Sequence, residues 1–273
     1  MSNHRKMQAA LALALLAVLG SGCGEPPDDD QAGRGASNGA PSDDATSDGA
    51  PSDDATTTTV IDPEAEQAAA EAVLLTQEDL PDWGTGMFIG TAPIGRPERF
   101  GELGTCLGSP LIDDGYAVAH SPTYNHVAEG DVAATVVFTP TVADAQRLME
   151  VVRTPDVPRC YADSVRNEVV QAGPHPIFPE AVAGEPLAEA QDFEQFGDDT
   201  AALQVTQPWT LDGDPFVPFY YDIAYVQVGR VVIVTSYAST LESDPDPELP
   251  RYVIGRMIDR VPPAAAASDE VTD

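Results

Sequence analysis

The sequence predicts an α+β fold: an antiparallel β-sheet meander with helices packed on one face and one disulfide. Three observations lead there. The C-terminal half reads as successive strands broken by tight turns. Stretches before and after it place apolar residues at helical spacing. The span from about residue 63 to about residue 262 is long enough to bury roughly 70% of its unfolded surface.

The first element is a helix. Asp62 can cap it, Pro63 suits its first turn, and Glu64 and Glu66 sit where the helix dipole favours acid. It runs through EQAAAEAVLL and leads into LLTQEDLPDWGTG. There Thr76 with Asp79 forms a short capping turn, Pro81 stops it, and Leu75, Leu80 and Trp83 are core anchors. Residues 86–92 read as a strand. Val132 to Thr139 (VAATVVFT) is β-branched and compact, a buried-strand signal. Thr141 with Asp144 caps a helix whose Val142, Ala145, Leu148, Met149 and Val152 share a face. A second helix starts after Asp156 and Pro158, carries Tyr161, Val165 and Val169 on one stripe, and ends near Gly173. Thr200 to Trp209 is a strand, LDGDP a turn, and Val217 to Val228 a long strand. Gly229-Arg230 makes a tight turn into a last strand, Val231 to Tyr237. After the acidic loop ESDPDPE, Leu249, Val253, Ile254, Met257, Ile258 and Val261 give a closing helix its apolar face. From Ala264 the chain is Ala-rich and acidic and is expected to fray.

The first residues concern location. Arg5 and Lys6 precede an apolar run, Ala9 to Leu19. A membrane span needs about 20 apolar residues, so this run has the length of a signal-peptide core instead. Leu19, Gly20, Ser21 and Gly22 then precede Cys23, and the group resembles a bacterial lipobox. Gly20 stands where that pattern most often has Leu. In such signals the cysteine is acylated and becomes the first residue of the mature chain. Residues 1–22 therefore read as a lipoprotein signal peptide and Cys23 as the lipidation site, which puts the protein on the extracytoplasmic face of the cell membrane. A soluble secreted chain with a free cysteine is the alternative. With Cys23 acylated, Cys106 and Cys160 remain as one pair, which should be oxidised outside the cytosol.

Residues 23–61 read as a disordered tether rich in Gly, Pro, Ser, Asp and Thr, in which GAPSDDAT at 39–46 returns unchanged at 49–56. A flexible chain of this length spans roughly 30–35 Å. The folded domain then covers 62–262, and 263–273 is an acidic tail. Net charge is −32, from 45 acidic and 13 basic residues. Residues 24–62 hold ten acids and Arg34, and the leader holds two bases, which leaves −25 for 63–273. So acidic a body repels phosphate backbones and excludes nucleic acid as a partner.

The opening LLTQEDLPDWG, Cys106 after it, VVFTPTVADAQRLMEVV, Cys160 and YYDIAYVQVGRVVIVTSY with a closing helix form a further pattern. Over about 70–262 it resembles the extracellular sensor-domain family named after the mycobacterial kinase PknH. Many actinobacterial lipoproteins carry a similar domain without a kinase. The resemblance implies a binding or sensing role and names no ligand. The kinase's domain is described with two disulfides and a cleft, and this chain can form only one disulfide.

Catalytic chemistry is sparse. His120 and His126 stand six apart, a poor spacing for a zinc pair, and His175 lies between two prolines. No G-x-S-x-G occurs. GTGMFIG (84–90) lacks the lysine and spacing of a phosphate loop and reads as a turn entering a strand. Asp212 and Asp214 in LDGDP read as turn residues rather than cation ligands. Along Val217–Val228, Phe219, Tyr221 and Tyr225 point to one side. They either line a cleft for an apolar or sugar ligand or pack under a helix. The expectation is a lipid-anchored binding or sensor-like domain without catalysis, with no cofactor or metal. Its partners are the membrane, through Cys23, and a small molecule or an envelope protein. A structural or protein-interaction module and an envelope hydrolase are the alternatives.

Overall fold

The computed structural model describes residues 62–86, 97–113, 115–126, 129–175, 178–239 and 248–266, all within one compact unit, Val60–Asp273. The expectations for the leader, Cys23, the tether, most of strand 86–92 and residues 267–273 lie outside the described residues.

The chain runs α1 (Pro63–Val73), β1 (Gly84–Thr85), α2 (Pro97–Leu107), β2 (Ala117–His120), β3 (Tyr124–His126) and β4 (Gly130–Phe138). It continues through α3 (Val142–Val152), α4 (Val157–Ala172), β5 (Val182–Ala183), β6 (Leu187–Gln191) and β7 (Asp199–Leu211). It closes with β8 (Asp214–Val228), β9 (Val231–Ser239), α5 (Glu248–Ile258) and α6 (Pro263–Ala266). The strands form one antiparallel sheet in the order β1-β3-β4-β9-β8-β7-β5, with β2 also on β4 and β6 also on β7. The class is α+β, and β7-β8-β9 is the predicted meander.

Local signals act where the sequence places them. Asp62 Oδ1 accepts from Glu64 N at 3.1 Å and starts α1. Thr141 Oγ1 accepts from Asp144 N at 3.1 Å and starts α3. Gly173 ends α4 at φ 79°, a conformation that favours glycine. In the β7–β8 turn both Asp212 (φ 55°) and Gly213 (φ 85°) are left-handed, as a two-residue hairpin requires. LDGDP is thus a turn.

The sheet is covered on both faces, which corrects the one-face expectation. Val136, Phe138, Val231 and Ile233 pack with Val73 of α1 and Ile254 and Met257 of α5. Val137, Val232, Val234 and Tyr221 pack with Leu103 of α2, Met149 of α3 and Tyr161 of α4. The physical reason lies in β4 and β9, which are apolar at consecutive rather than alternate positions. Such strands leave no face for water and demand cover on both. The C-terminus also stays ordered further than expected. Arg230 N donates to Ala265 O at 3.0 Å, and Ala265 is buried. A Cβ on Gly229 (φ 57°) would collide with the Ala265 carbonyl, so α6 closes against the β8–β9 turn.

Ion pairs join distant elements. Asp79, in the opening segment, receives Arg256 Nε at 3.2 Å and also the Arg260 guanidinium, both from the α5 region. Glu66 of α1 takes Arg230 end on, at 2.5 and 2.6 Å. Arg99 of α2 is buried against Glu168 and Ser164 of α4. The same two helices carry the disulfide Cys106–Cys160, whose Cα atoms lie 5.8 Å apart.

Every arginine among the described residues is paired with a carboxylate. The excess acid is therefore left without neutralising bases. Salt screens such repulsion over about 8 Å at physiological strength. The melting temperature is expected to rise by a few degrees (about 1 kcal/mol of relief for a domain of this size) between low salt and about 0.15 M. A flat or falling melting curve over that range would show that the acids do not oppose the fold.

Candidate functional site

The α1–α5 face of the sheet is incompletely covered. Small side chains at Ala202 and Ala224 leave space above β7 and β8, between the segment after β6 and the start of α5. The result is a groove of about 480 Å³. Strand register builds its floor: Gln204 stands opposite Asp222, Asp222 opposite Tyr237, and Ala224 opposite Thr235. Gln204 Nε2 donates to Asp222 Oδ1 at 2.7 Å, which holds the carboxylate in place.

The rim carries charge and an aromatic ring. Asp192, Phe193 and Glu194 follow β6 on one side, and Pro250 and Arg251 open α5 on the other. Phe193 is 38% exposed, one of five large apolar side chains left in water among the described residues. Arg251 Nε lies 2.7 Å from Glu194, so this pair bridges the two walls. The described lining thus combines carboxylates, a guanidinium, two amides, two hydroxyls and aromatic rings, and holds no histidine, cysteine or serine.

Two other hollows are chemically different. One of about 510 Å³ beside α2 is lined by Gly101, Gly104, Gly108, Leu111 and Ile112 and carries no charged group. The other, of about 300 Å³, lies under the α3–α4 turn; its Arg153 is held end on by Asp199. That contact also keeps the Asp199 carboxyl below its usual range.

The structure separates the residues singled out in the sequence. Phe219, Tyr221 and Tyr225 lie under α3 and α4, 6%, 2% and 0% exposed. They are core on the face opposite the groove, so the aromatic stripe packs under helices. Tyr225 edges the 300 Å³ hollow, and its hydroxyl bonds that of Tyr161. Burial pushes the Tyr161 phenol up to about 12 and Tyr225 well above its ordinary value, so both stay neutral. Cys106 and Cys160 are joined; Cys23 lies outside the described residues.

None of the described histidines lines the groove. His120 Nδ1 sits 2.8 Å from Thr135 Oγ1. His126 lies against Trp83 (5.5 Å between ring centroids) and 3.6 Å from Glu129. His175 is buried among Trp209, Phe178 and Phe219, and Phe178 N donates to its Nδ1 at 3.1 Å. Burial lowers its pKa, so it stays neutral, with its proton on Nε2. Among the described residues no three His, Cys, Asp or Glu groups are placed to hold a metal ion. No described helix is long and apolar enough to cross a membrane.

Sequence reasoning missed the groove because it looked for aromatics. A signal was present in the same strand: Asp222 and Ala224 stand among aromatic and β-branched neighbours, on the side of β8 opposite Tyr221. A carboxylate inside a strand that is otherwise core marks a place where the cover is open.

No family model matches the chain, and no curated protein matches it. Among solved structures, the extracellular domain of PknH from Mycobacterium tuberculosis is similar over 71% of this chain and 96% of that one, at 9% identity and a TM-score of 0.34. A Pseudomonas aeruginosa protein of unknown function, PA94, is similar over 55% of this chain and 82% of that one, at 11% identity and a TM-score of 0.20. Likenesses this remote carry no argument, and the functional reading rests on the chain's own residues.

Proposed function

We propose that the chain is a lipid-anchored, extracytoplasmic binding domain, without catalysis, whose ligand occupies the groove on the α1–α5 face. One observation carries this reading. A sheet otherwise sealed on both faces leaves about 480 Å³ open over a polar floor. That size falls within the range of small-molecule sites, and few convergent polar groups in a partly apolar hollow are their usual lining. The lining offers groups that bind and orient, but no nucleophile–base pair of the serine–histidine or cysteine–histidine kind, which disfavours the hydrolase alternative. The Cys106–Cys160 disulfide and the leader of residues 1–22 just before Cys23 support the location.

A protein-interaction module is the second reading, and the β5–β6 side of the sheet favours it. Val182 of β5 and Leu187 of β6 are 64% and 63% exposed there. The two readings separate by mass spectrometry of protein taken from its native envelope. Ligand binding is expected to give a small-molecule species that the wild type carries and that Ala202→Trp, which fills the groove, lacks. Co-purifying proteins with no such species would favour the interaction module. The anchor has its own test. Cys23→Ala is expected to release the protein from membranes or leave it unprocessed, and unchanged size with unchanged membrane retention would overturn it.

A further inference from the structure

We propose that the β5–β6 edge of the sheet receives a strand from another protein, an extended segment that carries basic and apolar side chains. This surface is separate from the groove, so the inference stands whether or not the groove holds a ligand; it deepens the interaction reading and rests on it. An open edge is the first observation. β6 pairs with β7 on one side only. Among the described residues nothing bonds the backbone on its other side, so alternate residues of Leu187–Gln191 turn their N–H and C=O groups to water. The far side of the sheet differs: α1 lies along β2, and Gln67 Nε2 donates to the Val118 carbonyl at 3.2 Å. A free edge is a template for a further strand, bound by main-chain hydrogen bonds and selected by its side chains.

The side chains along this edge name the partner. Val170, Val182 and Leu187, three of the five large apolar side chains exposed among the described residues, meet here. Val170 reaches the edge because α4 packs on β6 and Arg166 of α4 pairs with Glu185, just before the strand. Val170 stands one turn beyond Arg166 on the same helix face. Register puts Leu187 and Glu189 opposite Thr206 and Gln204 on the α1–α5 side, and Ala188 and Ala190 opposite Val205 and Leu203 on the other. Of the carboxylates along the edge, Glu185 and Glu194 are met by Arg166 and Arg251, while Glu189 and Asp192 meet no base among the described residues. An added strand therefore sets one side chain against Glu189 and another against Leu187, on one face. Opposite charge suits the first and an apolar group the second. A second copy is the wrong occupant. It would bring Glu189 close to its own counterpart and join two bodies of −25 each.

The test uses the full chain in nanodiscs of zwitterionic lipid and a set of fluorescent, end-blocked peptides. The first is KTVRVIS, whose arginine falls opposite Glu189 and whose isoleucine falls opposite Leu187 in antiparallel register. The second is its acidic counterpart, ETVEVIS. The last two are the basic peptide N-methylated at alternate residues, one form for each edge of the strand. Binding is followed by fluorescence anisotropy, and protection of β6 by hydrogen exchange with mass spectrometry. The basic peptide is expected to bind and to slow exchange over Leu187–Gln191, and the acidic peptide is not. One methylated form should bind and the other fail, because only one edge of an added strand faces β6. The two forms carry the same charge, so general attraction to an acidic body does not separate them. Glu189→Arg, at an exposed position, is expected to weaken the basic peptide about tenfold and to admit the acidic one, the scale of exchanging an opposite-charge cross-strand pair for a like-charge pair. Ala202→Trp, which fills the groove, should leave peptide binding unchanged. Equal binding of both methylated forms, equal binding of the acidic peptide, or binding without protection of β6 overturns the proposal. So does self-association of the wild type that protects β6, which would make a second copy the occupant. Peptide binding lost in a folded Ala202→Trp variant would move the peptide into the groove and overturn the edge. Absence of binding at millimolar peptide also overturns the edge, and it leaves the groove reading to its own test.

Discussion

Asp79→Ala is expected to be the most damaging single substitution away from the apolar core, costing about 3 kcal/mol. The Asp79 side chain is fully buried and answers four donors. Oδ2 accepts from Thr76 N and Thr76 Oγ1, each at 2.9 Å. Oδ1 accepts from Arg256 and Arg260, and Arg260 reaches on to Leu74 O at 2.6 Å. One carboxylate thereby fixes the turn after α1 and ties it to the end of α5, 177 and 181 residues away. Breaking a buried pair costs about 3–5 kcal/mol, chiefly through the charge left behind. Here the abandoned guanidiniums are 49% and 24% exposed, so water recovers part of that, which sets the lower end.

The same residue predicts an acid limb. Burial alone would raise its pKa, but the bonds from Arg260, Thr76 and Arg256 outweigh it and bring the carboxyl from 3.8 to about 2. A group depressed on folding contributes fully above its unfolded pKa and loses that contribution as pH falls toward its folded one. A carboxyl brought from 3.8 to about 2 contributes about 2 kcal/mol, present above roughly pH 5 and lost by roughly pH 2. Urea unfolding at a series of pH values should show the wild type and Asp79→Ala converging by that amount. Parallel curves from pH 5 to pH 2 would mean that the carboxylate is not held as the geometry has it.

That corner of the molecule shows which part of the fold could be read from the sequence. Thr76 with Asp79 was legible as a capping turn, and Leu75, Leu80 and Trp83 as core, because turn chemistry and apolar spacing are local. Arg256 and Arg260 were invisible as partners, since no local pattern links residues so far apart. The stripes of α3, α4 and α5 were legible for the same reason. Ala145, Leu148 and Met149, then Tyr161 and Val165, then Val253, Ile254 and Met257 are buried as their spacing requires. The double cover of the sheet was encoded in the unbroken apolar runs of β4 and β9. It was missed because the meander alone suggested a half-solvated sheet. α2 was missed because Gly101 and Gly104 weaken its helical signal. Gly104 is needed because a Cβ there would press on Ser109 O at 3.0 Å. In the candidate site, the aromatic stripe of β8 drew attention to the core face. The groove depends instead on two alanines and on chain segments converging from β6 and α5, which periodicity does not report.

Reducing Cys106–Cys160 is expected to bring the second large loss, up to about 4 kcal/mol. The two cysteines are 54 residues apart in sequence, so the bridge closes a long loop in the unfolded chain. The chain-entropy estimate for a loop of that length is roughly 4 kcal/mol, and residual structure in the unfolded state reduces it. The folded state changes little by comparison. Cys160 is 2% exposed on α4, while Cys106 lies at the exposed end of α2 with Arg159 Nη1 4.0 Å from its sulfur. Reductant therefore has access from one side. Once the bond is cut, α2 still docks through Phe100 and Leu103, through Arg99 with Glu168, and through the bond from Ser164 to Glu102. The reduced protein should accordingly keep its native circular dichroism and unfold in one step, at a lower urea midpoint. Reduction is preferable to Cys→Ala substitution because it removes no atoms from the packed site and so isolates the cross-link. The urea dependence should steepen slightly, since an uncrosslinked chain exposes more surface when it unfolds. A midpoint unchanged within about 0.5 kcal/mol would show that the unfolded chain already holds α2 near α4. Loss of native signal before any denaturant is added would show the opposite, that the ion pairs and apolar contacts of α2 cannot hold the helix without the bond.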